Sequence, residues 1–489
     1  MGPLHSAIET YPARRAPGEG AGPRQCARIA DAFFVAGIVI ALTLGASWGA
    51  HLLGRIGSSA SFTAVSVHEV NAHGHAQVFG WVGLFVMGFA YRFFPAWKGA
   101  RLPSVGLAYA SLVLMLLGIA LRSILEPFAH VSGAARHAAL AGSAAELAAI
   151  GIFVGSVVAV FRRSSDRFEP GDGYLAAALG WFAVQAVWDA VYFAATSAAG
   201  SREQLLRLVA TWQAPLREIQ IYGFAMLMIL GVSRRLFPGF YGFRPARPRW
   251  STASLAAMNA GLVGMVAGFV MMGLVGRGWA ALWYLGVLLL AFAGAAAVAD
   301  LGILGGAARG DRSLKFFRSA YVWLLVSLAM LVALPGYQLG LLRWLAPASD
   351  ASRIGFSHAY YGAIRHAVTV GFVSQMILGM AAKVVPWVRG MAETGLPALW
   401  TPFVLLNVGC WMRVSFQVIS DFRTEAFAWI ATSGVLEVAA LAVWGAHLVR
   451  TIVRRVPRAT GGEGDEASGG GATPRCAATH ALSGWNLFG

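Results

Sequence analysis

Apolar runs of about 20 residues recur almost from one end of the chain to the other, and a run of that length crosses the hydrocarbon core of a bilayer. Twelve are expected, at roughly 31–53, 73–94, 104–122, 138–161, 173–196, 214–236, 252–275, 279–303, 316–340, 357–385, 397–419 and 424–450. Within a bilayer every backbone polar group must be satisfied internally, which leaves helices as the solution for segments of this length. The first run is too long for a signal-peptide core and is read as a retained span. Composition agrees: 57% of the 489 residues are hydrophobic and 12% charged, about half the charged share of a soluble domain. The expected fold class is therefore all-α, a polytopic membrane protein of twelve helices.

The net charge of +16 does not point to nucleic acid, because its distribution is topological. With the N-terminus inside, the inner loops collect groups such as Arg92, Lys98 and Arg101, then Arg162, Arg163 and Arg167, then Arg234, Arg235 and Arg244. About twenty-five basic residues fall inside against about ten outside, a positive-inside bias that places both termini in the cytoplasm. Residues 1–27 and 457–489 are rich in Gly, Pro, Arg and Glu and are expected to be disordered tails around a membrane domain at 28–456. Cys26, Cys410 and Cys476 form no paired spacing, so neither a disulfide frame nor a zinc knuckle is indicated.

Three segments align without gaps. HGHAQVFGWVGLFVMGFAYRFFP runs from His73 to Pro95, REIQIYGFAMLMILGVSRRLFP from Arg217 to Pro238, and RHAVTVGFVSQMILGMAAKVVP from Arg365 to Pro386. Gly80 falls on Gly223 and Gly371, Gly88 on Gly231 and Gly379, Arg92 on Arg235 and Lys383, and Pro95 on Pro238 and Pro386. Any two membrane helices look alike in their apolar positions, but here polar and proline positions match too. The segments lie on spans two, six and ten, which implies three four-helix repeats at approximately 28–163, 173–305 and 316–450. Glu146 and Glu437 occupy equal offsets in the first and third repeats.

Eight of the eleven histidines fall toward the outer ends of spans: His51, His68, His73, His75, His130, His137, His358 and His366. Imidazoles inside membrane helices tend to mark function, although any single one is as often a bundle-facing hydrogen-bonding residue. His75 and His366 are repeat equivalents, with Glu218 in their place in the second repeat. His68 lies above His75 on nearly the same helix face, about 10 Å away. His358 and His366 are about 12 Å apart along their axis. His73 points almost opposite to His75.

Two histidines on different helices facing one cavity suit a six-coordinate haem b, with His75 and His366 as the favoured axial pair. Arg217, Arg365 and Arg122 are candidate partners for haem propionates, although interfacial snorkelling explains Arg217 and Arg365 equally well. His51, His68, His130, His137 and His358 are candidates for a second haem or a copper site, with His73 a further possible metal ligand, but no tight spacing fixes a geometry. Glu146, Glu437 and Glu218 are buried acids suited to proton relay or ligand support. Asp189 and Asp300 serve helix–helix hydrogen bonding as readily.

Twelve helices in three arcs, with histidines on spans two and ten, resemble the catalytic subunit of haem–copper oxidases. There a low-spin haem is held by one histidine from each of those spans, by position His75 and His366. The phrase RHAVTVGFVSQMILGMAAKVVP around His366 is more similar to the NnrS family of haem- and copper-containing membrane proteins. That resemblance implies a bacterial inner-membrane protein associated with denitrification and nitric oxide stress. Span six carries Arg217, Glu218, Gln220 and Tyr222 where oxidases have a His-Pro-Glu pattern, and no histidine follows until His358. A conventional oxygen- or nitric-oxide-reducing binuclear centre is therefore not expected, and whether the chain is an enzyme stays open.

The leading expectation is an NnrS-type haem b protein of nitric oxide tolerance, with a small gas ligand and a redox partner. The alternatives are an oxidase-like electron-transfer or quinol-reactive subunit, and a transporter or metal permease whose histidines bind a passing ion. Three parallel repeats fit a transporter less well, since those are commonly inverted or paired.

Overall fold

A computed structural model describes residues 22–454, apart from 355 and 393–394. The segment 457–489 and most of 1–27, expected as disordered tails, lie outside the described residues. Among the described residues, twelve helices are long and apolar enough to cross a membrane. They are α1 Pro23–Ser59, α2 Val67–Trp97, α3 Val105–Phe128, α4 Gly133–Arg162, α5 Pro170–Ser197 and α6 Arg202–Tyr241, followed by α7 Pro248–Leu274, α8 Arg277–Leu301, α9 Leu314–Leu345, α10 His358–Val388, α11 Trp400–Ile419 and α12 Ala426–Val453. Each expected span lies on one of them. The chain is an all-α, multi-pass membrane protein.

One boundary differs from expectation. The start of α1 falls inside the segment expected to be disordered, because local start signals outweigh its polar composition. Pro23 occupies the first helical turn, where its missing N–H costs nothing, and the Gly22 amide donates to Gln25 Oε1 at 2.9 Å.

Neighbouring helices pack in chain order, and α12 returns against α1 to close a ring. Three helices stand inside it. In their most apolar stretches α2, α6 and α10 bury 72–89% of residues, against 28–56% in the other spans. The outward faces of the ring carry exposed apolar side chains such as Val113, Leu285, Phe292 and Val435, as suits helices in contact with lipid.

The three inner helices are the three aligned segments, and they share one backbone feature. Each contains an eight-residue π-helical stretch, at Ala76–Gly83, Ile219–Met226 and Ala367–Ser374. Each begins on the residue after His75, Glu218 or His366. Such wide turns are rare and gather at functional sites. The aligned glycines have a packing cause. A Cβ on Gly88, Gly231 or Gly379 would come within 2.7, 3.0 and 3.0 Å of Phe33 on α1, Tyr174 on α5 and Phe316 on α9.

Further equivalences extend beyond the aligned segments. Trp181 on α5 donates to Asn259 on α7 at 2.8 Å, and Trp323 on α9 donates to Asn407 on α11 at 3.1 Å. Gly118, Gly261 and Gly409 let α3 meet α4, α7 meet α8 and α11 meet α12 at backbone distance. Their absent Cβ atoms would lie 2.7, 2.9 and 3.2 Å from the carbonyls of Gly142, Gly286 and Ser433. Past the π-helical stretches, aligned residues again form rings around the central axis. Phe85, Met228 and Met376 make one ring, and Phe89, Val232 and Met380 another, both lining an apolar cavity of about 70 Å³.

Candidate functional site

The histidine-rich end of the bundle lies opposite the end at which α1 begins and α12 stops. Caps set its helices. Ser66 and Glu69 exchange bonds at the start of α2, with Ser66 Oγ accepting from the Glu69 amide at 3.2 Å and Glu69 Oε2 from the Ser66 amide at 2.8 Å. Ser357 accepts from the Tyr360 amide at 2.9 Å at the start of α10. The first turns that follow carry His68, Asn71, His73 and His75 on α2, and Tyr361, Arg365 and His366 on α10.

The opposed faces of α2 separate its two innermost histidines into different surroundings. His75, fully buried, points toward α4 and α5. Its Nε2 bonds Glu146 at 2.8 Å and its Nδ1 bonds Asp189 at 3.1 Å. Asp189 also receives Arg122 at 3.5 Å, and Arg122 binds Glu126 and lies 3.5 Å over the Phe193 ring. Both imidazole nitrogens of His75 are thus committed to carboxylate oxygens, and neither presents a lone pair to a metal. The apolar setting needs this pairing, since an isolated buried charge is far costlier.

His73 faces the other way, as the helix geometry requires, toward α1 and α11. Its Nδ1 bonds the Gly45 carbonyl at 3.0 Å, where a π-helical turn of α1 ends. On α10, His366 Nδ1 bonds the Gly362 carbonyl at 2.9 Å. A carbonyl can only accept, so Nδ1 carries a proton in both rings, and in the neutral imidazole Nε2 then keeps its lone pair. That is the tautomer in which histidines ligate metals, held by the kind of outer hydrogen bond metal-site histidines use. The two imidazoles lie within electrostatic range of each other and of Arg413 on α11.

Three arginines lie near this pair, Arg413 buried and Arg217 and Arg365 half-buried, and among the described residues none makes an ion pair. Arg217 on α6 donates to Gln220 at 2.6 Å and to Asn71 at 3.4 Å. Arg365 stacks 4.6 Å over Tyr361, and its Nε has no hydrogen-bond partner. Arg413 is 5% exposed, with Nε and Nη1 unpartnered. Missing side chains make room for these groups: a Cβ on Gly49 would meet the His73 ring, and one on Gly74 would lie 3.1 Å from Arg217. Unpaired guanidinium nitrogens at such depth suit carboxylates.

Glu218 sits between α6 and α10, where Tyr361 donates to its Oε1 while its Oε2 is buried without a partner. Glu437 lies in the field of Arg413, with Oε1 likewise unpartnered. The remaining histidines are scattered. His68 stacks on His130 at 4.7 Å, His51 on Trp48 at 5.1 Å, and His358 meets Phe356 edge-on. His137 bonds the Gly133 carbonyl of its own helix. Apart from the stacked His68 and His130 the structure does not bring them together, and among the described residues no three His, Cys, Asp or Glu side chains form a metal-holding group. Asp300 is at the opposite end, paired with Arg234 at 3.0 Å and Arg247 at 3.1 Å.

Sequence reasoning passed over Arg413, Asn71 and Tyr361. An arginine amid an apolar run is a signal in its own right; the other two carry none without the fold.

The fold and this site define a polytopic helical membrane protein with a half-buried imidazole pair among cationic side chains. A family model described as NnrS protein matches residues 32–455, and the chain belongs to the NnrS family. A comparison with curated proteins finds no match.

Proposed function

We propose that the chain is a haem b-binding protein of the bacterial inner membrane that acts in nitric oxide tolerance or denitrification-linked metabolism. One observation carries the reading. His73 and His366, from two of the three inner helices, each bond a backbone carbonyl through Nδ1, which leaves the Nε2 of a neutral ring free, beside three arginines that have no ion pair. The donor set fits haem: two neutral imidazoles for the iron, and guanidinium groups for the propionates. His366 is one of the two axial residues expected from sequence. His73 takes the place given to His75, whose nitrogens are occupied.

Bound haem would supply an iron that exchanges an electron with a redox partner, or that binds a small diatomic ligand when one of the two imidazoles gives way. The residues of the chain do the rest. Gly45 and Gly362 hold the imidazole tautomers through their carbonyls. Arg217, Arg365 and Arg413 neutralise carboxylates that the low-dielectric interior would otherwise reject. Glu218 and Glu437, with unpartnered oxygens, are placed to take up or release a proton near that pocket. Copper, implied by the family resemblance, is assigned to no residues. The basic loops at the end that carries the termini support cytoplasmic termini.

The test is to purify the protein with haem supplied during expression and add nitric oxide anaerobically. A haem spectrum that shifts with nitric oxide supports the reading. A haem spectrum that nitric oxide leaves unchanged sinks the nitric oxide role. Protein that stays haem-free and instead moves metal ions in vesicles supports the transporter alternative.

A further inference from the structure

The ring-like arrangement of α2, α6 and α10 leaves a hole along their common axis, on the side of the π-helical stretches away from the histidines. The cavity measures about 70 Å³, where one water-sized molecule needs about 10–15 Å³. That is room for one or a few diatomic molecules. Phe85, Met228, Met376 and Met380 are among its walls, and no side chain lining it is charged or offers an N–H or O–H donor. Apolar cavities of this kind stay dry, and a polar guest would forfeit its hydration without compensation.

The cavity is a product of the fold rather than of one misfitting side chain. Two of its wall rings consist of positions equivalent in the three aligned segments, so each inner helix contributes the same registers. Its distance from the imidazole pair is short. Met376 follows His366 by ten residues, about 15 Å along the helix, with the π-helical stretch between them.

We propose that this axial cavity is a docking site for a small uncharged gas molecule, of the diatomic class that includes nitric oxide. The proposal deepens the haem reading by placing a gas store beneath the proposed iron site. Gas binding in the cavity does not itself require haem. The occupant follows from size and polarity: the bilayer interior already concentrates apolar gases, and the cavity offers a guest dispersion contacts alone.

Crystals of the full-length protein pressurised with krypton test this by anomalous diffraction, on haem-loaded and haem-free preparations. The expected result is a krypton peak within the ring of Phe85, Met228 and Met376 in both, lost in Val232→Phe, which fills the cavity. An empty cavity under pressure, or a lipid or detergent chain in place of krypton, overturns the proposal. A peak in haem-free protein that never takes up haem upholds this site while defeating the haem reading.

Discussion

Replacing His75 with alanine separates a structural from an iron-binding role for this residue. His75 bonds Glu146 at 2.8 Å and shares Asp189 with Arg122. The carboxylates are 4% and 5% exposed, so solvent replaces little of what is lost. Breaking a buried pair from one side costs about 3–5 kcal/mol. Asp189 keeps Arg122, so the loss falls mainly on Glu146 and belongs at the lower end, about 3 kcal/mol. Adding Glu146→Gln removes the stranded charge and should recover a large part of it. The assay is thermal inactivation in detergent, with haem per protein measured on the same samples. The expected outcome is a less stable His75→Ala protein that keeps its haem, and a double variant that is more stable than the single one. A His75→Ala protein of unchanged stability that has lost its haem would refute this reasoning.

Asn407 accepts from Trp323, Ser319 and Gln375, whereas its equivalent Asn259 accepts from Trp181; at about 0.6 kcal/mol per membrane hydrogen bond, Asn407→Leu should cost about 2 kcal/mol and Asn259→Leu about a third of that, read from inactivation half-lives. Gly261→Ala would place a Cβ 2.8 Å from the Leu290 backbone and should destabilise by about 1–3 kcal/mol, while Gly151→Ala, with open space around it, should be neutral in the same assay. Asp311, in the loop between α8 and α9, is pushed up by burial, but bonds from Lys383, the Ser313 hydroxyl and the Ser313 amide outweigh this and hold its carboxyl below the usual range. A depressed folded value stabilises fully above the ordinary carboxylate value of about 3.9 and less as pH falls through the folded value. The stability gap between wild type and Asp311→Asn should therefore shrink on acidification from pH 5.

The twelve spans and the repeat alignment were legible because bilayer length and backbone satisfaction leave marks on every stretch of sequence. The aligned glycines and prolines of spans two, six and ten belong to the three helices that the structure places innermost. The π-helical stretches were not legible, since their wide turns arise from tertiary packing and not from residue propensity. The site was half legible. Helix periodicity set His73 and His75 on opposed faces, but it could not say which face looked toward His366. That Glu146 and Asp189, from α4 and α5, close on His75 is visible only in the fold. Arg413 shows the remaining gap, because only the fold brings it from α11 to the histidines of α2 and α10.

The most direct measurement is near-infrared magnetic circular dichroism of the oxidised protein, with pyridine haemochrome quantification, on wild type, His73→Ala and His366→Ala. The account predicts b-type haem with a bis-imidazole signature in the wild type, and loss of that signature in each variant. A wild type without haem, or a bis-imidazole signature that survives His73→Ala, would contradict it.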